Sequence, residues 1–556
     1  MNAHKRVGVS FIWHMHQPYY KDPLANSFLL PWVRLHAVKD YLPMALLVER
    51  SPRVKATFNI APVLIEQLND YVTNATSDIL LDLTVKKASA LTHDERAQIL
   101  SSFFKVNFKR FIEPHDRYTG LFIKKGLATT TAAALKRAAR SFSDQDLLDL
   151  QVLFNLAWFH SITVENDASL REIISKKRDY SEEDKAYIVR MQKQAMAAIV
   201  PLYRKLQDAG RLEITATPFY HPILPLLCDT SVAATSSPGM ALPARRFRHP
   251  EDADWHIRTA LQFCEDEFGK RPAGIWPSEG SVSDDAIALL AKNGVRWFAT
   301  DEDILFRSLT TYHKRYKGIQ ELDRRLVYQP YRMKTDAGSV TAIFRDKNMS
   351  NLISFNYASW DQTAAAGDLL GHLTRITDGM RRDGDTGLIT IVMDGENAWE
   401  YYEDNGRTFF ELVYEGLDRD DQEFSSTTVS EYLLEVPTQK SLSRIFPGSW
   451  INQNFEVWIG QEQDNLSWEY LDRVRRDLVR FTDEAKRQLI QPRKELFERA
   501  WRQFYIAEGS DWNWWYAGTA RVGTDNPFDI VYRIHLKNVY KILKKPVPEF
   551  LNISIA

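Results

Sequence analysis

Seven short runs rich in β-branched and aromatic residues pace this chain, and each stops abruptly at polar residues. Val7 to Trp13 (VGVSFIW) stops at His14-Met15-His16-Gln17-Pro18, and Lys55 to Asn59 (KATFN) stops before a helix opened by Pro62. Leu212 to Thr217 (LEITAT) runs into Pro218-Phe219-Tyr220-His221-Pro222, and Ala273 to Trp276 into Pro277-Ser278-Glu279-Gly280. Val295 to Thr300 ends at Asp301-Glu302-Asp303, Ser339 to Phe344 at Arg345-Asp346, and Leu388 to Met393 at Asp394-Gly395-Glu396-Asn397. Helical patterns intervene, such as Ser283 to Lys292, which Gly294 closes. Alternating strands and helices imply a parallel sheet. Polar clusters after strand upon strand favour an α/β barrel with one functional face, because such barrels gather their chemistry at the C-terminal ends of the strands.

Two carboxylates stand out on that face, Glu279 and Asp394. Pro277 cannot donate to a ladder and Gly280 has no side chain, so the turn is built around Glu279. An isolated loop glutamate is most simply a solvated side chain. A pair at strand ends has another use: glycoside hydrolysis needs one carboxylate at the anomeric carbon and one acid on the leaving oxygen. Asp301, Asp303, Asp346, Glu213 and Glu396 are weaker candidates, each more simply a structural hydrogen-bond partner. His14 and His16, two apart on a strand end, point to one face. They suit a sugar subsite, a satisfied core, or the H-x-H start of a metal-dependent amidohydrolase. The last needs a second clear pair of ligands on later strands, which the chain does not supply. Trp512, Trp514 and Trp515, like Trp450 and Trp458, read equally as a sugar platform or as interior packing.

From about Asp78 to Ala209 the pattern is helical, with a capping-box signature at Ser181-Glu182-Glu183-Asp184. That block is most simply an insertion at about 78–209 within a catalytic region spanning 1–402. Beyond it the strand signal fades, and 403–556 reads as a mainly helical C-terminal domain. The segment Leu30 to His36 is expected to precede a helix. With 556 residues, 44% hydrophobic, the chain can bury a large core. A net charge of -2 points to neither nucleic acid nor an anionic membrane. Two cysteines make no disulfide framework or zinc spacing. MNAHKR runs straight into a strand, and no apolar run approaches the ~20 residues of a membrane span. A reducing, cytoplasmic setting is expected.

Eight stretches resemble one known family. HMHQPYY (14–20), GRLEITATPFYHPILPLL (210–227), GIWPSEGSVS (274–283), IVMDGENAWE (391–400) and GSWINQNFEVWIG (448–460) are similar, in order, to the five signatures of glycoside hydrolase family 57. LPWVRLHAVKDY (30–41), TFNIAPVLIEQL (57–68) and EGSDWNWWY (508–516) resemble its α-amylase and amylopullulanase-like branch. The resemblance implies an incomplete (β/α)7 barrel, a helical insertion and a C-terminal helical domain closing the cleft. It implies an α-glucan or maltooligosaccharide substrate, a retaining mechanism with Glu279 as nucleophile and Asp394 as acid/base, and no catalytic metal or cofactor. Candidate sugar contacts, taken from strand ends and matched stretches, are His14, His16, Trp32, His221, Trp276, Asp346, Glu396, Trp399, Trp450, Trp458, Asp511 and Trp512. The chain departs from the branch after Tyr516, where acidic and histidine residues are expected and AGTA stands. An α-amylase-type hydrolase is the leading expectation, and a 4-α-glucanotransferase or branching enzyme using the same pair is the alternative. A silent glucan-binding protein would need a broken pair, and a metal-dependent deacetylase would be stopped by chelators.

Overall fold

The computed structural model describes residues 7–73, 76–127, 129–396, 399–487, 494–516 and 526–556. Seven parallel strands form its central sheet: β1 Val7–Met15, β2 Ala56–Ile60, β3 Leu212–Ala216, β4 Gly274–Ile275, β5 Trp297–Asp301, β6 Gly338–Arg345 and β7 Leu388–Asp394. Their order is β7-β1-β2-β3-β4-β5-β6. It is the order of an α/β barrel that does not close. β6 and β7 share no ladder; the Asp346 N–H reaches Thr390 O at 2.8 Å and Arg345 Nε reaches Val392 O at 2.8 Å across the seam.

β1, β2 and β7 are buried along nearly their whole length because helices cover one face and the barrel interior fills the other. β4 is the shortest and most crowded. A Cβ on Gly274 would lie 2.0 Å from the Trp297 indole, so only glycine lets β4 pair with β5. Register then sets the mouth of the barrel. Asp394 lies opposite His14, His14 opposite Asn59, Asn59 opposite Thr215, and Asp301 opposite Arg345.

Helices from Ile79–Val85 to Glu182–Asp208 lie between β2 and β3. The last opens with the expected capping box, in which Ser181 and Asp184 satisfy each other's backbone N–H. The stretch expected to precede a helix is itself helical over Trp32–His36. It then widens into a π-turn at Ala37–Tyr41 and continues as Leu42–Arg50. Three long helices follow in the C-terminal region, Glu462–Arg487, Lys494–Ala507 and Pro527–Ile542. Arg475 clamps Asp252 of helix Pro250–Phe268 with contacts of 2.6 and 3.0 Å, tying that region to the barrel. The turn after Ala507 reaches over the barrel mouth.

Candidate active site

Glu279 sits in a left-handed turn, φ 58° and ψ 24°, directly after β4. A residue with a Cβ holds that conformation only where its surroundings enforce it, at about 1–3 kcal/mol. Here the enforcement is visible. The Trp450 N–H donates to Glu279 O at 3.0 Å, Val282 and Gly448 exchange both backbone bonds, and Thr300 Oγ1 donates to Gly280 O. Trp450 also donates its indole Nε1–H to Glu279 Oε2 at 2.8 Å. Burial, then the charge of Asp394, push the Glu279 carboxyl up to about 8, against a smaller lowering by Trp450.

Asp394 ends β7 and faces the same space. The following peptide is pinned when the Gly395 N–H donates to His14 O at 2.6 Å and Trp399 Nε1 donates to Gly395 O at 2.9 Å. Glu396 turns back into the wall. Its Oε1 accepts from the His16 N–H at 3.2 Å, Tyr41 Oη at 3.2 Å and Gln17 Nε2 at 3.4 Å. No described group meets its buried Oε2. Burial, helped by the charges of Asp394 and Asp40, raises its carboxyl well above the usual range.

Three imidazoles stack beside the carboxylates. The rings of His16 and His221 lie 3.8 Å apart at 15°, and His14 is 5.2 Å from His221 at 20°. A chain of hydrogen bonds orders their protons. Asn59 Nδ2 donates to Ala216 O and Thr215 Oγ1, which turns Asn59 Oδ1 to accept from His14 Nδ1 at 2.6 Å. His14 Nε2 is then an acceptor for His221 Nε2–H at 3.2 Å, and His221 Nδ1 accepts from Ser510 Oγ at 2.9 Å. Burial and the neighbouring rings hold His14 down to about 3 and His221 well below the usual value, so both stay neutral. His16 Nε2 meets Asp511 Oδ1 at 2.7 Å.

These groups frame a cleft of about 1770 Å³, walled by His14, His16, Glu279, Asp394, Glu396 and Asp511 among others. The family model for glycosyl hydrolase family 57 matches residues 10–443. The chain belongs to this family. Solved structures of similar fold include a branching enzyme from Thermococcus kodakaraensis (TM-score 0.60, 16% identity, covering 96% of this chain and 90% of that one). A branching enzyme from Pyrococcus horikoshii is similar as well (TM-score 0.61, 16% identity, 98% and 93%). So is an α-amylase from Thermotoga maritima (TM-score 0.59, 15% identity, 97% and 93%). At these identities the likeness is one of fold. No curated protein sequence matches.

The sugar contacts expected of this family-57 chain divide by location. His14, His16, Trp32, Glu396, Trp450, Trp458 and Asp511 line the cleft with both carboxylates. His221 lies one layer behind, fully buried under His16. Trp276 and Trp399 are backing rather than lining: Trp276 packs edge-on against Trp450, and Trp399 is wedged between Trp13 and Phe410. Trp512 turns inward because residues 511–514 are helical, so a two-residue step rotates it about 200° from Trp514. It packs on Tyr532 and His535, and its Nε1 donates to Ile506 O. Asp346 lies outside the cleft, capping helix Lys347–Asn351 and accepting from Tyr328 Oη. Glu213 is at the far end of β3, held by Ser430 and Trp297. Asp301 is neutralised by Arg345 at 2.9 Å, and Asp303 accepts from Gln453 and Lys347. The AGTA departure lies outside the described residues.

Sequence reasoning missed Arg345 and Ser510. Arg345 joins Asp301, Val392 O and Asn351 at the seam and holds its guanidinium 5.3 Å from the Trp450 ring, bracing the indole that bonds Glu279. Its place directly after a barrel strand was the available signal. Donor atoms of His16, His221 and Asp511 fall within 4.8 Å of one another, the spacing of a metal site. The rings are nearly parallel, however, so their in-plane lone pairs run side by side and do not converge. Asp511 engages His16 Nε2, and His14 and Ser510 engage the two nitrogens of His221, while His16 Nδ1 meets no described partner.

Proposed function

We propose that the chain cleaves α-glucans by double displacement, with Glu279 as nucleophile and Asp394 as acid/base. The observation that carries this reading is the placement of two carboxyls, presented after β4 and at the end of β7, on one cleft. At neutral pH such a pair holds one proton between its members. The Trp450 Nε1–H bond favours the carboxylate form of Glu279, against the burial and the Asp394 charge that push it up to about 8. The reactive form is the one with Glu279 ionised and the proton on Asp394. Glu279 then attacks the anomeric carbon. The glycosidic bond breaks, its electron pair leaves with the oxygen, and Asp394 supplies that oxygen's proton. In the second step the Asp394 carboxylate takes a proton from an incoming hydroxyl, which attacks the same carbon and frees Glu279.

With water as the incoming hydroxyl the enzyme is an α-amylase-type hydrolase, the reading we adopt. A sugar hydroxyl would make it a transferase. Two observations favour keeping that second reading: the similar structures include two branching enzymes, and a cleft of about 1770 Å³ has room for an acceptor chain. Purified protein incubated with maltoheptaose decides between them. Only shorter products establish hydrolysis, and a ladder of longer products establishes transfer. Turnover that persists undiminished in Glu279→Gln would overturn the carboxylate assignment under either reading.

A further inference from the structure

Five aromatic side chains are exposed among the described residues: Phe108, Phe355 (78%), Trp360 (45%), Tyr401 (56%) and Trp514 (40%). Single exposed apolar residues need no explanation. Here four of the five, all but Phe108, line the cleft that holds Glu279 and Asp394. They come from three separate parts of the chain. Phe355 projects from a π-turn at Leu352–Asn356, and Trp360 leaves the next turn edge-on against Tyr357 at 5.2 Å. Tyr357 is itself anchored through its hydroxyl to Asp368 at 2.7 Å. Tyr401 follows β7, and the insertion grips its backbone: Arg110 Nε donates to Tyr401 O, and Asn107 Nδ2 donates to Glu400 O. Trp514 comes from the C-terminal region.

From this convergence we propose that Phe355, Trp360 and Tyr401 form a glucan-chain rim of that cleft, which gives the enzyme its preference for polymers over short oligosaccharides. The inference rests on the α-glucan reading above and goes beyond it. Pyranose rings present flat C–H faces that pack on aromatic rings, and a rigid exposed ring offers such a face with little ordering entropy to lose. A folded chain leaves large rings in water at one site when that surface has a partner. Continuity with the catalytic cleft identifies the partner as the same polysaccharide. The volume agrees: about 1770 Å³ exceeds the range of roughly 300–1,000 Å³ that holds one small ligand. None of the three rings contacts Glu279 or the histidine stack in any described interaction.

The test compares wild type with the triple variant Phe355→Ala/Trp360→Ala/Tyr401→Ala, and with Phe108→Ala as an off-cleft control, on amylose and on maltotriose. We expect kcat/KM on amylose to fall at least ~10-fold in the triple variant, chiefly through KM. Maltotriose turnover should stay within ~2-fold, and Phe108→Ala should match wild type on both. Equal losses on both substrates would show a structural role, and an unchanged amylose KM would show an idle rim; either overturns the proposal. Affinity electrophoresis through amylose, run on Glu279→Gln with and without the triple substitution, separates this failure from failure of the α-glucan reading. Retardation that the triple substitution abolishes supports the rim even without turnover. Retardation that it leaves intact, or no retardation at all, rejects the rim.

Discussion

The barrel mouth and the core of the helical insertion both bury charge, and they do so in opposite ways. Arg34 of helix Trp32–His36 reaches into the insertion, fully buried and with every nitrogen engaged: Nε and Nη2 bond Asp78 at 2.8 and 3.2 Å, and Nη1 bonds Asn155 and Gln192. Tyr71 and the Leu81 N–H complete Asp78, and Asn155 Nδ2 reaches Thr84 and Gln151. At the mouth the same kinds of group are left incomplete. His16 Nδ1 and Glu396 Oε2 have no partner among the described residues, Glu279 and His221 sit at positive φ, and Glu279 titrates far from its ordinary value. A saturated network holds a structure together. An unsaturated, strained one keeps free energy in reserve for a ligand or a transition state.

That contrast can be broken at several points. Glu279→Gln carries the largest effect, a loss of turnover of at least ~10³-fold with the fold intact. Because the folded-state carboxyl is raised from 4.5 to about 8, wild type must bury a charge as pH climbs between these values, and stability falls across that window. Thermal melts should therefore show the variant gaining on wild type from pH 4.5 to about 8 and holding a constant lead above it. A variant less stable than wild type at pH 9 would contradict a destabilising mouth. Arg34→Ala tests the other region. It strands Asp78 without its cation, and urea titration should register a loss of about 3–5 kcal/mol while activity per folded molecule persists.

Smaller effects sharpen the electrostatics of the mouth. Trp450→Phe removes the indole hydrogen bond that favours the Glu279 carboxylate, so the acid limb of the kcat/KM profile should move to higher pH. We expect about a 10-fold loss at neutral pH; an unmoved limb would mean that the indole does not tune this group. Glu396 is the mildest case. Burial and the charges of Asp394 and Asp40 raise its carboxyl well above the usual range, and an amide oxygen can accept the same three bonds that Oε1 accepts. Glu396→Gln should stay within ~3-fold of wild type, where Glu396→Leu should fall well below. Loss of activity in both would instead require an ionised Glu396.

Much of this was legible in residue order. Period and length gave all seven strands, because a buried parallel strand reads as an uninterrupted apolar run. Their polar endings pointed to His14, His16, Glu279 and Asp394, which line one cleft. The capping box at Ser181 and the helix stop at Gly294 were readable for the same reason, since they depend on residues within four positions of one another. Aromatic residues were not readable this way. Trp450, Trp276, Trp399 and Trp512 look alike in sequence, yet one bonds Glu279 and the others back the site from within. Which side of a wall a ring occupies depends on elements hundreds of residues away.

The sequence alone thus determined the strand succession, the insertion's helical pattern and the two carboxylates at β4 and β7, because each is written in local periodicity and short-range backbone chemistry. Tertiary structure decided the rest: the left-handed turn that Trp450 imposes on Glu279, the proton order through Asn59, His14, His221 and Ser510, and the rim of Phe355, Trp360 and Tyr401. These depend on distances and dielectric surroundings that exist only once remote segments pack. A carboxyl's burial and a ring's exposure are properties of that packing, and no spacing along the chain encodes them.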